Sequence, residues 1–347
     1  MRFSHALPLL AALCLPVTAC AAPSTSSTPS APTASAAGRP APGYPVTIAN
    51  CGHSYTFDRP PSRTVLMSGG AVGQVSALIA LGVEGRIVAN AQSYGASDVP
   101  GRAEAIERLP KAKINKGSYD ISRESMLALR PDFVIGTTGF DFDAQNGYAT
   151  RQELLEIGAN TWLPDSTCGG PGTIKGTQTI DDSYEMLREL GRVYGVSGRA
   201  EELIARSRER IEQIAAKVKD GPRPKVMYII PGMEMGAAEF SSIGANGMWN
   251  DIFAKAGGVN AFAGVTDAVF ANLSKEQVAR TDVDAVVLIN WRNPDPDGAA
   301  KNLFAQFPHW RAARDNRYVV LSDSAYLGPD NAVAVERIAK MLHPEKF

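Results

Sequence analysis

Two stretches of this 347-residue chain repeat one pattern, and that repeat limits the fold more than any other feature. The first runs Ile121-Ser122-Arg123-Glu124, through Leu129-Arg130-Pro131-Asp132, into Phe133-Val134-Ile135. The second runs Leu273-Ser274-Lys275-Glu276, through Thr281-Asp282-Val283-Asp284, into Ala285-Val286-Val287. Each reads apolar residue, Ser, base, Glu, a short helix, Asp and a buried strand, with the same Glu-to-Asp spacing. A repeated helix-then-strand unit predicts two similar α/β lobes.

Between the copies, residues 197–219 predict a long helix. Ala200, Leu203, Ile204, Ile211, Ile214, Ala215 and Val218 recur at steps of three and four, one stripe on a 3.6-residue helix. Ser197 is the expected N-cap, Glu201 and Glu202 are expected in the first turn, and Lys217 and Lys219 in the last. Asp220-Gly221-Pro222 stops it. At 1.5 Å per residue it is roughly 30 Å long, enough to brace two lobes apart. An ordinary amphipathic surface helix is the other reading of this stretch alone.

The N-terminus predicts export. Arg2 precedes a short apolar run, 6–17, which suits a signal-peptide core better than a membrane span. The run ends in Val17-Thr18-Ala19-Cys20, small residues before a Cys, so 1–19 read as a signal peptide and Cys20 as a lipidation site; a non-lipidated signal peptide is the alternative. Residues 20–43 are nearly all Ala, Pro, Ser and Thr and predict a disordered tether of roughly 25 Å reach. The body then divides into a lobe at 44–196, the connecting helix at 197–220 and a lobe at 221–347. Cys51 and Cys168 remain. Export favours a disulfide between them, and two separate free thiols are the alternative.

A net charge of −1 without a basic cluster argues against nucleic acid as a partner. Residues 46–57 alternate about Asn50-Cys51-Gly52 and predict a β-hairpin. A strand at 64–67, the turn Ser68-Gly69-Gly70, a helix to Leu81 and a strand at 86–89 predict a βαβ unit. Its turn aims a helix N-terminus at the sheet's carboxyl edge, where open α/β sheets bind ligands. Further strands are expected at 133–136, 161–162, 225–230, 284–290 and 318–321. Helices are expected near 148–157, 180–194, 247–255, 299–306 and 331–342.

In order along the chain, several pieces carry a family likeness. They are Pro61-Ser62-Arg63-Thr64-Val65, Ala80-Leu81-Gly82-Val83, Leu109-Pro110, Leu129-Arg130-Pro131-Asp132-Phe133 and Ala256-Gly257-Gly258-Val259-Asn260-Ala261-Phe262, with the paired Ser-base-Glu elements. Together they resemble the solute-binding lipoproteins of ABC importers for iron–siderophores, haem and cobalamin, over nearly all of residues 44–347. The resemblance implies two α/β lobes with mostly parallel sheets, one long rigid helix between them and a ligand cleft between the lobes. It implies that Glu124 and Glu276 dock on arginines of an ABC permease dimer with its ATPase. The residues alone also allow a plainer role, as first-turn acids favoured by the helix dipole.

The implied cleft is lined by strand-end loops. These carry Tyr94, Tyr119, Phe140 and Trp162 on the first lobe, and Trp249, Phe270, Trp291, Arg292 and Tyr326 on the second. Aromatic walls suit a flat or chelated ligand, and an arginine suits an anionic ferric complex. The expected function is therefore capture of a ferric siderophore, with haem or cobalamin as alternatives. The expected protein is an exported monomer, lipid-anchored to the outer face of the cytoplasmic membrane, or on the periplasmic side in a double-membrane cell. A tethered receptor or scavenger without an importer is the alternative of another class. No resident cofactor is expected, iron entering only within a bound chelate. His53, His309 and His343 are too dispersed to suggest a bare-metal site. No G-x-S-x-G or H-E-x-x-H motif suggests an enzyme.

Overall fold

The computed structural model describes residues 40–114, 120–169, 176–232, 239–291, 293–322 and 329–347. The chain divides into two units, Met1–Arg39 and Pro40–Phe347, and only the second is described below. The folded part starts before the expected tether ends: Ala41 N–H donates to Asp58 O, and Tyr44 N–H to Ala41 O. The expected signal peptide and Cys20 lie outside the described residues.

β1 (Val46–Asn50) and β2 (His53–Phe57) form the expected antiparallel hairpin. Cys51 and Gly52 turn it at φ 53° and 79°, the twin positive values of a two-residue hairpin turn. Alternate residues Ile48, Asn50, Tyr55 and Phe57 face inward. Next come β3 (Thr64–Leu66), α1 (Val72–Leu81), β4 (Ile87–Asn90), α2 (Arg102–Glu107), α3 (Arg123–Ala128), β5 (Phe133–Ile135), α4 (Arg151–Glu156) and β6 (Asn160–Trp162). The four strands β3 to β6 make a parallel sheet in the order β4-β3-β5-β6. β3 and β5 are buried along their whole length, as parallel strands covered on both faces require. α5 (Ile180–Val193) closes this half.

α6 (Ser197–Val218) is the long central helix. Ala200, Ile204, Ile211, Ile214 and Val218 of the expected stripe are buried, while Leu203 and Ala215 are half-buried. Its start differs from expectation. Val196 occupies the cap position without a side-chain cap, Ser197 is already helical, and the first turn holds no acid. The chain enters instead through a tight corner from α5, where a Cβ on Gly191 would lie 2.7 Å from that of Ala200. Close helix approach, not capping, sets this boundary.

The second half contains β7 (Lys225–Ile229), β8 (Phe240–Ile243), α7 (Trp249–Lys255), β9 (Val259–Asn260), β10 (Phe270–Leu273), α8 (Lys275–Arg280), β11 (Ala285–Asn290), α9 (Pro296–Gln306), α10 (Arg311–Arg314), β12 (Tyr318–Ser322) and α11 (Asn331–Leu342). A second four-stranded parallel sheet runs β12-β11-β7-β9, and β8 pairs antiparallel with β10 in a small separate sheet. The fold is thus two α/β lobes joined by one long helix. α1 and α5 pack on α6 from the first lobe, and α7 and α11 from the second. One apolar core therefore runs through both halves, including Leu78 and Leu190, then Ile204 and Ile211, then Phe253 and Ile338.

Candidate functional site

The carboxyl ends of both parallel sheets lead into the loops that carry the expected site. In the first lobe, β3 runs into Ser68-Gly69-Gly70 and β5 into Thr137. Thr137 Oγ1 lies 3.1 Å from Ser68 Oγ and 2.9 Å from Asp141 Oδ2. Asp141 also accepts the N–H groups of Thr137 and Thr138, at 2.5 and 3.2 Å. Asp120 accepts from Gly69 N–H at 3.2 Å. Both carboxyls are buried. The Asp120 carboxyl is raised to about 7, chiefly by burial and then by the Asp141 charge, against the hydrogen bonds from Gly69 and Ser68. Burial also raises Asp141, against the hydrogen bonds from Thr137 and Thr138. The turn Ser68-Gly69-Gly70 was expected at this edge, whereas Asp120, Thr137 and Asp141 escaped sequence reading; their only local signal was Thr137-Thr138 directly after a buried strand.

The disulfide ties the hairpin to this rim. Cys51 and Cys168 are bonded, with Cα atoms 5.2 Å apart, so the free-thiol alternative is excluded. Thr167, beside Cys168, donates from Oγ1 to Thr137 O at 2.7 Å. Asn50, beside Cys51, donates to Leu163 O at 2.7 Å and accepts from Leu163 N–H at 3.0 Å. Among the described residues, Cys51, Asp165 and Cys168 are the ligand-type side chains close enough to share a cation, and the disulfide takes both sulfurs.

Two expected aromatics meet across the lobes. Tyr94 and Trp291 stack edge to face with ring centres 5.3 Å apart, and Gly95 N–H donates to Trp291 O at 3.4 Å. The same tyrosine covers the start of α1: a Cβ on Gly70 would lie 2.6 Å from its hydroxyl. In the second lobe, the end of β7, β8 and α9 enclose an open hollow of about 540 Å³, with Pro231, Phe240, Ser241 and Gln306 in its walls.

The remaining expected residues separate into three groups. Phe140 is exposed and packs edge to face on Tyr148, while Phe270 is half-buried at the start of β10 against the main core. Trp162 and Trp249 must be corrected: they are 1% and 0% exposed, so neither presents a face to a cleft. Trp162 faces α5, where its Nε1 donates to Glu189 Oε2 at 2.7 Å, and Trp249 packs between Tyr228 and Phe253. Each follows or adjoins a strand-end loop in sequence, but helix packing turns it inward. Tyr119, Arg292 and Tyr326 lie outside the described residues.

Glu124 and Glu276 occupy equivalent places, exposed in the first turns of α3 and α8. Ser122 and Ser274 cap these helices, and Ser274 with Gln277 makes a reciprocal capping box. Arg280, one turn on, pairs with Glu276.

Among the described residues no helix is long and apolar enough to cross a membrane. No curated protein matches the chain. Among solved structures, a protein of an ABC-type Fe3+-hydroxamate transport system from Saccharomonospora viridis is 27% identical with a TM-score of 0.68, covering 86% of this chain and 99% of its own. A periplasmic haem-binding protein from Pseudomonas aeruginosa is 25% identical with a TM-score of 0.58, over 82% and 93%. A periplasmic binding protein from Veillonella parvula shares the fold at 20% identity and a TM-score of 0.69, over 86% and 97%. The family model described as periplasmic binding protein matches residues 71–325, and this chain belongs to that family.

Proposed function

We propose that the protein captures a ferric siderophore of the hydroxamate type outside the cytoplasm and delivers it to an ABC permease. The observation that carries this reading is the 27% identity with the S. viridis protein of an Fe3+-hydroxamate transport system, over 86% of this chain and 99% of its own. The interlobe pair Tyr94–Trp291 supplies an aromatic wall, and the Ser68–Thr137 rim supplies hydroxyls for a polar chelate. Haem is the second reading, supported by the 25% identity with the P. aeruginosa protein.

The test is emission quenching. Trp162, Trp249 and Trp310 are essentially inaccessible, so Trp291 is the tryptophan a cleft ligand reaches first. Saturable quenching by a ferric hydroxamate, and none by haem, cobalamin or a ferric catecholate, is expected. Silence across the whole panel sinks the proposal. Delivery is tested by Glu124→Ala with Glu276→Ala, expected to abolish uptake while leaving affinity intact, which would favour an importer over a receptor without one; unchanged uptake would mean that delivery does not pass through these two glutamates. Anchoring at Cys20 predicts that Cys20→Ala releases the protein from membranes.

A further inference from the structure

α6 is not the sole connection between the lobes. After β4 the chain leaves the first lobe and crosses to the second, where Asp98 is held by three hydrogen bonds. Its Oδ2 accepts from the Ser322 N–H and hydroxyl at 2.7 and 2.8 Å, and its Oδ1 accepts from Arg337 Nη1 at 2.5 Å. Arg337 also donates to Val320 O at 2.8 Å, fixing the guanidinium to β12. One residue earlier, Ser97 Oγ donates to Asp330 Oδ2 at 2.7 Å, and the same oxygen lies 3.3 Å from Ser76 Oγ of α1. The crossing segment is itself braced, since Gln92 Nε2 donates to the carbonyls of Tyr94 and Gly95 at 2.7 and 3.1 Å. At its start stand the Tyr94–Trp291 stack and the Gly95–Trp291 hydrogen bond.

We propose that segment 94–98 is a strap that holds the two lobes at a set spacing, with Asp98 as its positioning residue, so that Tyr94 and Trp291 form one fixed wall of the cleft. The chemistry requires a carboxylate. Every group facing Asp98 in these contacts is a donor, so an asparagine of the same shape must turn its NH2 toward either Ser322 or Arg337. Donor then meets donor, and one partner loses its acceptor. The side chain of Asp98 is only 16% exposed, so water does not readily replace the lost bond. A residue that merely filled space would tolerate this substitution.

The proposal deepens the cleft reading above, but its test uses ligand-free full-length protein, so failure to bind a siderophore leaves the outcome unaffected. Iodide quenching of tryptophan emission reports on Trp291, because the other three tryptophans are buried. Asp98→Asn is expected to raise the iodide quenching constant at least twofold and to speed hydrogen exchange at the Gly95 and Ser322 amides at least tenfold. Adding Arg337→Met removes the second donor, letting the asparagine oxygen turn to Ser322, and is expected to restore much of the parent quenching. Glu107→Gln, which breaks an exposed pair with Lys111, serves as the control. Should Asp98→Asn fail to fold, Arg337→Met alone carries the test. Parent values of quenching and exchange in a folded variant overturn the proposal, as does a double variant no closer to the parent than Asp98→Asn.

Discussion

Replacing Asp120 by Asn should change how stability depends on pH. In the folded protein the Asp120 carboxyl is raised from its ordinary value near 3.8 to about 7, chiefly by burial and then by the Asp141 charge. Between about pH 4 and pH 7 the unfolded chain has released this proton while the folded protein keeps it. The neutral carboxyl therefore favours folding fully below about pH 4, and that contribution is lost as pH rises through 7. Held over the whole interval, the difference amounts to about 4 kcal/mol as an upper figure, since one pH unit corresponds to about 1.4 kcal/mol. Asn keeps an oxygen for the Gly69 N–H and does not titrate. Urea unfolding of parent and variant across about pH 4 to 8 should show the parent losing up to that amount relative to Asp120→Asn. Parallel stability profiles for the two proteins would refute the assignment of a buried, proton-holding Asp120.

Two further predictions concern the supports of the same rim. Replacing both Cys51 and Cys168 by Ser opens a link across 117 positions, for which the chain-entropy model gives about 5 kcal/mol; a urea-measured loss below about 1 kcal/mol would show that the cross-link does not constrain the unfolded chain. Gly70→Ala puts a Cβ 2.6 Å from the Tyr94 hydroxyl, whereas the nearest ring carbon is 3.1 Å away. Ligand affinity should fall in Gly70→Ala and partly recover on adding Tyr94→Phe, as followed by Trp291 emission; no recovery would mean that the clash lies elsewhere.

Much of the scaffold was legible along the chain because its signals are local. The hairpin turn at Cys51-Gly52, the buried runs of β5 and β11 and the stripe of α6 each follow from residues within one or two turns. The β8–β10 pair was missed because Phe240-Ser241-Ser242-Ile243 and Phe270-Ala271-Asn272-Leu273 are short and weakly patterned, and each acquires meaning only against the other. The start of α6 was misplaced for a related reason: Ser197 has the chemistry of a cap, but the Gly191–Ala200 contact with α5 starts the helix one residue earlier than capping alone predicts.

The candidate site was harder to read than the scaffold. Tyr94, Trp162, Trp249 and Trp291 look alike in sequence, each at or near a strand or helix end. Packing against α5 and β7 sends two of them into the core, while the crossing of segment 94–98 brings the other two together. Asp98, Ser322 and Arg337 are likewise unremarkable as letters, since their pairing spans more than two hundred positions.

By itself, the order of residues determined that this chain makes two α/β lobes around one long helix, because hydrophobic periodicity and turn chemistry act over a few residues at a time. Which aromatics are buried and which meet across the lobes, which carboxyls are raised by burial and how segment 94–98 is held were decided only by the tertiary structure. Those properties depend on burial and on hydrogen bonds between distant segments, and no local pattern encodes either.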